Sequence, residues 1–253
     1  RENDDMNEII EKIGLAGVVG AGGAGFPTHV KLAAKAEIFI VNGAECEPLL
    51  RVDQQLMTLF AAEMIKGVRY GMQTSGAREG IIALKAKYKP AIAALEPLLP
   101  SDMRIHILKD VYPAGDEVIT IWMATGRRVP PGKLPLDVGV MVSNVQTLIN
   151  VTHAIDAGRP VTHRTLTITG AVRQPVTVTV PIGTSYQDAV ALSGGPTGKG
   201  ISFVEGGPMM GHLVHDMDTP VTKMTGALIA LPDDNIVVRR HRTHMDSVLR
   251  IAK

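Results

Sequence analysis

The sequence predicts an α/β layered region followed by a smaller α+β domain, and three observations carry that expectation. Short apolar, β-branched runs alternate with helix-period segments as far as residue 150. Beyond residue 160 the apolar period becomes two, as in strands with one buried face. Between the two patterns stands Gly158-Arg159-Pro160, a cluster that punctuates chains. A chain of 253 residues holds one large domain or two smaller ones. The expected division is 1–157, 158–232 and a polar segment 233–253.

The elements follow in order. Ile9, Ile10 and Ile13 give Met6–Ile13 an amphipathic helical pattern. Six glycines then fall within the twelve residues from Gly14 to Gly25, and Val30–Ala36 reads as helix. Ile38–Val41 is a buried strand that stops at Asn42-Gly43. Gln54–Gly71 reads as one long helix, with Leu56, Leu59, Phe60, Met64 and Val68 on its apolar face. Gly80–Leu84 and Arg104–Leu108 read as strands on either side of a helix near Pro90–Leu99. A helix within Gly115–Thr125 should stop at Gly126, and Val138–Val142 is again β-like. In the second part, Thr165–Thr169 and Val176–Val180 alternate threonine with aliphatic residues, which predicts a half-buried antiparallel pair turning through Gly170–Pro175. Thr184 or Ser185 suits the cap of a short helix ending before Ser193-Gly194-Gly195, and strands follow at Ile201–Val204 and Ala227–Leu231.

Composition removes several function classes. Hydrophobic residues are 45% and the formal net charge is +1, so the chain is globular and lacks the basic excess that marks nucleic-acid binders. Aromatics are only 4%, too few for stacking platforms along a single strand. No run of 18 apolar residues is present, and the charged start Arg1–Asp5 leads into no apolar signal core. The single cysteine permits neither an internal disulfide nor a cluster held by this chain's own thiolates.

Four segments carry candidate chemistry. Gly20-Ala21-Gly22-Gly23-Ala24-Gly25 lets backbone N–H groups approach an anion, and Gly20, Gly22 and Gly25 satisfy G-x-G-x-x-G. Only Val18-Val19 precede it, so a phosphate cradle and a tight connection between helices both remain open. Asn42-Gly43-Ala44-Glu45-Cys46-Glu47-Pro48 follows a strand, at the end where open α/β sheets bind ligands; a solvated acidic loop is the alternative. Cys46 lies between two carboxylates that disfavour its thiolate, which suits packing better than nucleophilic attack. Tyr112–Glu117 is the third segment. Ser143-Asn144-Val145-Gln146-Thr147 is the fourth, and it suits either a phosphate or a helix cap. His212/His215 and His241/His244 have spacings that would share a helical face, without further ligands at metal spacing, so no metal site is expected.

Taken together, these segments resemble the family of the complex I NADH-binding flavoprotein subunit and the C subunit of Rnf electron-transport complexes. The likeness runs through Gly17–Thr28, Asn42–Pro48, Tyr112–Glu117, Thr125-Gly126-Arg127, Ser143–Leu148 and Gly206–Gly211. Around Asn42–Met57, including Leu49–Asp53, the wording is most similar to cobalamin reductases of propanediol-utilisation microcompartments. The resemblance implies a Rossmann-like FMN-binding domain followed by a β-grasp domain of the soluble-ligand-binding type. It implies noncovalent FMN, NADH as electron donor, and cobalamin as the final acceptor. The chemistry then belongs to the flavin, and no catalytic side chain is expected. Carried over residue by residue, Gly20, Gly22, Gly23 and Gly25 form the flavin loop, and Lys31 offers a cation to the flavin or its phosphate. Asn42, Glu45 and Glu47 line the flavin and nicotinamide side, Gly115 and Glu117 touch the flavin, and Asn144 and Thr147 hold the phosphate.

The same resemblance implies 4Fe-4S clusters on cysteines beyond this type of segment. The sequence ends at Lys253 without them, so 233–253 is expected to lead toward a missing iron–sulfur region. Of the aromatics expected against the nicotinamide, Phe26 is present, whereas Lys31 is followed by Leu32-Ala33-Ala34. The implied setting is the cytoplasm, within a bacterial microcompartment, with a corrinoid adenosyltransferase and shell proteins as neighbours. Two alternatives stay open: an Rnf-type subunit serving ferredoxin, and a non-catalytic corrinoid- or ligand-binding module.

Overall fold

A computed structural model describes residues 2–242 and divides them into two compact units. The first comprises the residues up to Cys46 and Asp53–Val161. The second comprises Glu47–Val52 and the chain from Thr162 onward. A contiguous division of the sequence does not place Glu47–Val52 with the second unit; the contacts do.

The first unit is an α/β layer structure. Helix α1 (Glu2–Leu15) buries Ile9 and Ile13, and the glycine loop connects it to α2 (Thr28–Leu32), which stops earlier than the expected Ala36. Strand β1 (Ile38–Asn42) follows, and then the segment 54–71 departs from expectation. It forms two helices, α3 (Val52–Leu59) and α4 (Ala61–Ser75), broken at Phe60, whose backbone (φ −126°, ψ 38°) is not helical. Leu59, assigned by periodicity to the buried face, is 73% exposed. Strand β2 (Glu79–Lys85), helix α5 (Lys89–Leu95) with a 3₁₀ turn to Leu98, and β3 (Met103–Leu108) continue the alternation. Helix α6 (Glu117–Thr125) ends at left-handed Gly126, as its sequence predicts. Strand β4 (Val140–Asn144) runs directly into α7 (Val145–Ala157).

The four strands are parallel in the order β3-β2-β1-β4. One face, with Ile40, Ile81, Ala83 and Val142, packs on Ile121 and Ala124 of α6. The other packs on α4 and α7 at close range: a Cβ on Gly71 would meet the Phe39 ring, and one on Gly67 would meet the Leu148 backbone. Strands covered on both faces read as continuous apolar runs, which is the pattern of Ile38–Val41 and Ile81–Leu84.

The second unit is a five-stranded mixed sheet in the order β6-β5-β9-β7-β8. Its elements are β5 (His163–Gly170), β6 (Val176–Pro181), α8 (Tyr186–Ala191), β7 (Ile201–Glu205), β8 (His212–Leu213), β9 (Ala227–Pro232) and α9 (Ile236–Arg242). The β5–β6 hairpin is antiparallel as expected, while β5 pairs parallel with β9. Strand β5 is buried on both faces rather than half-buried, because it is internal to the sheet and its threonine face is covered. Thr165 and Thr167 are buried, and the Thr167 Oγ1 accepts a hydrogen bond from Arg51 N at 3.1 Å. Ser185 caps α8, its Oγ accepting from Asp188 N. His212 lies in a two-residue strand, so it does not share a helical face with His215. Among the described residues no cluster suits a metal ion. His244 and the rest of 243–253 lie outside the described residues, whereas Asp233, within the expected linker, accepts hydrogen bonds from Ser202 and Arg242.

Candidate functional site

In the first unit the chain passes from β1 to β2 and β3 on one side and returns to β4 on the other. The carboxyl ends of β1 and β4 therefore diverge into a crevice, the place where open α/β sheets bind ligands. Their last residues, Asn42 and Asn144, are register partners. A cavity of about 420 Å³ opens there, within the usual size of small-molecule sites.

The glycine loop forms one wall, and its construction is not that of a βα turn. Gly20 N donates to Phe26 O (2.9 Å) and Thr28 N to Val18 O (3.1 Å), closing residues 20–26 into a loop between two helices. Left-handed Gly25 (φ 72°) allows the return. The loop is fastened to the start of α7: Ala21 N donates to Thr147 Oγ1 at 2.9 Å, so the Thr147 hydroxyl keeps its own proton to donate. Gly22 rests on Asn144, where an added Cβ would lie 2.8 Å from Nδ2.

The opposite wall comes from the loop before α6. Asp116 Oδ1 accepts from Val118 N and Ile119 N, which caps that helix. Gly115 is held from both sides: its carbonyl accepts from Asn42 Nδ2 (2.7 Å) and its N–H donates to Cys46 Sγ (2.7 Å). A side chain at residue 115 would collide with the Ala44 carbonyl and the Cys46 sulfur. Burial is the main cause that pushes the Cys46 thiol above its ordinary range, in keeping with a packing role. Lys31 spans the floor, donating to Val142 O (2.7 Å) and Glu117 Oε1 (3.4 Å).

The cavity thus has two electrostatic poles. At one, the N-terminus of thirteen-residue α7 carries the neutral cap Asn144, whose Oδ1 accepts from Gln146 N. Helix amides, glycine-loop amides and the Thr147 hydroxyl there suit an anion. At the other, Asp116 and Glu117, with the Lys31 ammonium beside Glu117, present carboxylate acceptors that suit donors such as hydroxyls and ring N–H groups.

Residues 13–153 match the model of the Nuo51 FMN-binding domain, and residues 165–213 match that of the SLBB domain. The chain belongs to the Nuo51 FMN-binding domain family. Among its relatives, the cobalamin reductase PduS of Citrobacter freundii is 58% identical over 98% of this chain and 55% of that protein. The C subunit of the Na⁺-translocating ferredoxin:NAD⁺ oxidoreductase complex of Acetobacterium woodii is 38% identical over 92% of this chain and 54% of that protein. The chain therefore spans about half the length of these relatives. A crystal structure of an air-oxidised NAD⁺-reducing [NiFe]-hydrogenase has the same fold, with a TM-score of 0.79 at 23% identity over 94% of this chain and 49% of the other.

In this family member, ten of the twelve residues singled out in the sequence line the one cavity: Gly20, Gly22, Gly23, Gly25, Lys31, Asn42, Gly115, Glu117, Asn144 and Thr147. Glu45 and Glu47 do not. The Glu45 carbonyl accepts from the Tyr88 hydroxyl (3.4 Å), and that phenol is raised mainly by burial, with the Glu45 charge adding to it. Glu47 belongs to the second unit, where its Oε2 accepts from Met209 N (2.8 Å) against Gly207. Sequence reasoning passed over Asp116, Ser143 and Thr28, which also line the cavity. All three carried a signal, since each stands inside a quoted segment at a helix or strand end.

Proposed function

We propose that the chain binds one FMN noncovalently in this cavity and receives electrons from NADH, as the flavin-bearing part of a cobalamin reductase. The carrying observation is that ten of the residues implied by the family resemblance line one cavity at the crevice between β1 and β4. The two poles support one orientation. The start of α7 would hold the phosphate, with the Thr147 hydroxyl as donor and the side-chain-free backbone of Gly22 and Gly23 beside it, and Asp116 and Glu117 would face the ribityl and ring end. Lys31, already bonded to Val142 O and Glu117, has a third N–H for the ligand. Asn42 shapes the wall by donating one amide N–H to the Gly115 carbonyl and, like Lys31, has a further N–H for the ligand. Phe26, 55% exposed on the cavity lining, offers a ring face to the nicotinamide.

When bound, FMN supplies the chemistry, taking two electrons as hydride and releasing them singly. Cobalamin is preferred to ferredoxin as the eventual acceptor on the difference between 58% and 38% identity in the two relatives. Work inside a bacterial microcompartment belongs to the same proposal. The test is anaerobic addition of NADH to the FMN-loaded chain. Loss of the oxidised-flavin absorbance is expected. A bound flavin that dithionite bleaches and NADH leaves oxidised would remove NADH as donor.

A further inference from the structure

Asp53 lies in the first turn of α3, outside the cavity lining, and its Oδ2 accepts a hydrogen bond from Asn144 Nδ2 at 2.9 Å across 91 positions of sequence. The other end of the same amide, Asn144 Oδ1, accepts from Gln146 N at 2.9 Å. An ionised carboxylate only accepts and a backbone N–H only donates, so the two contacts admit one orientation of the amide. The remaining side is closed by Gly22, whose missing Cβ would stand 2.8 Å from Asn144 Nδ2 and 3.1 Å from Cγ. Asn144 is therefore held on three sides, by the α7 backbone, the glycine loop and Asp53, at the pole that suits an anion.

A carboxylate behind that pole is costly if it acts only as a charge, because it repels what the helix start attracts. Its geometry gives it a different use. We propose that Asp53 is a positioning residue: it locks Asn144 so that the helix cap and the glycine loop meet in one fixed arrangement, and it thereby makes the site discriminate a flavin monophosphate from an unphosphorylated flavin. The inference rests on the FMN reading above and adds a residue and a specificity to it.

The experiment measures affinity of the cofactor-stripped chain for FMN and for riboflavin, by quenching of flavin fluorescence. Asp53→Ala is expected to weaken FMN about tenfold while changing riboflavin less than about twofold. Asp53→Asn retains an acceptor oxygen at the same reach, and is expected to stay within roughly threefold of the parent for FMN. Should Asp53→Ala fail to fold, Asp53→Ser, too short to reach Asn144 but suited to a helix start, carries the same expectation. Unchanged or tighter FMN binding in the Ala or Ser variant overturns the proposal, the latter by showing that repulsion outweighs positioning. Equal losses for both flavins also overturn it, since they mark a general structural role. A parent chain that binds neither flavin overturns the FMN reading, and this inference with it.

Discussion

The glycine loop provides a comparison between neighbouring residues that the geometry separates sharply. Gly22→Ala would bring a Cβ to 2.8 Å from Asn144 Nδ2 and 3.2 Å from Asn144 Cβ, while Gly23→Ala would meet nothing within 4 Å. Relief at Gly22 has two routes. Asn144 moves, giving up its cap on Gln146 N and its bond to Asp53; these are worth about 0.5–2 and about 1.5–3 kcal/mol. Or the loop retreats, giving up the bond from Ala21 N to Thr147 Oγ1, worth about 0.5–1.5 kcal/mol. The second route is cheaper, so the loop withdraws from the α7 start and its amides leave the anion pole. With the lost approach of those amides included, FMN affinity should fall by about 1–2 kcal/mol, roughly five- to thirtyfold. The assay is titration of the stripped protein with FMN, followed by fluorescence quenching. Gly23→Ala should remain within about threefold of the parent. Equal weakening in the two variants, or parent-like binding by Gly22→Ala, would refute the argument from packing.

Further expectations follow from the same contacts. Cys46, raised mainly by burial, should alkylate slowly at neutral pH, with a rate that climbs only above the ordinary thiol range as pH rises and the thiolate forms; a rate midpoint near neutrality would contradict the packing role. Glu47→Ala removes the acceptor of Met209 N, and should lower thermal stability by about 1–3 kcal/mol while leaving FMN affinity within about twofold, as scanning calorimetry and fluorescence would show. A loss of FMN without loss of stability would return Glu47 to the cofactor. Anaerobic reconstitution with iron and sulfide should yield no stoichiometric four-iron cluster on this chain, because one cysteine cannot supply four thiolates; a stable cluster by iron analysis would contradict this.

Much of the site was legible because its residues stand at element ends, where sequence signals are strong. Asn42 closes an apolar strand, Asn144 joins a strand to a helix as its cap, and Gly115-Asp116-Glu117 opens another helix. What stayed hidden depended on distant partners. Nothing near Asp53 announces Asn144, 91 positions away. The break at Phe60 has no Pro or Gly to mark it, while Gly67 and Gly71, which resemble breakers, lie inside α4 and let it approach Leu148 and Phe39. The alternation of β5 was read correctly as a strand but wrongly as half-exposed: Thr165 and Thr167 are buried, and the partner of Thr167, Arg51 N, lies more than a hundred positions earlier. Glu47 shared a motif with Asn42, yet the chain crosses from one compact unit to the other between Cys46 and Glu47. The roles of Glu45 and Glu47 came from the family resemblance; Glu45 stays in the first unit and Glu47 opens the second, and local spacing carries no information about where a chain changes unit.

The central claim, that the crevice between β1 and β4 holds a flavin monophosphate, is tested most directly by cofactor content. The chain is saturated with a mixture of FMN and FAD, freed of unbound flavin and denatured in acid, and the released flavin is identified by chromatography against protein concentration. The account predicts one FMN per chain and none retained on the polypeptide. Recovery of FAD, flavin that remains attached, or a colourless protein would contradict it.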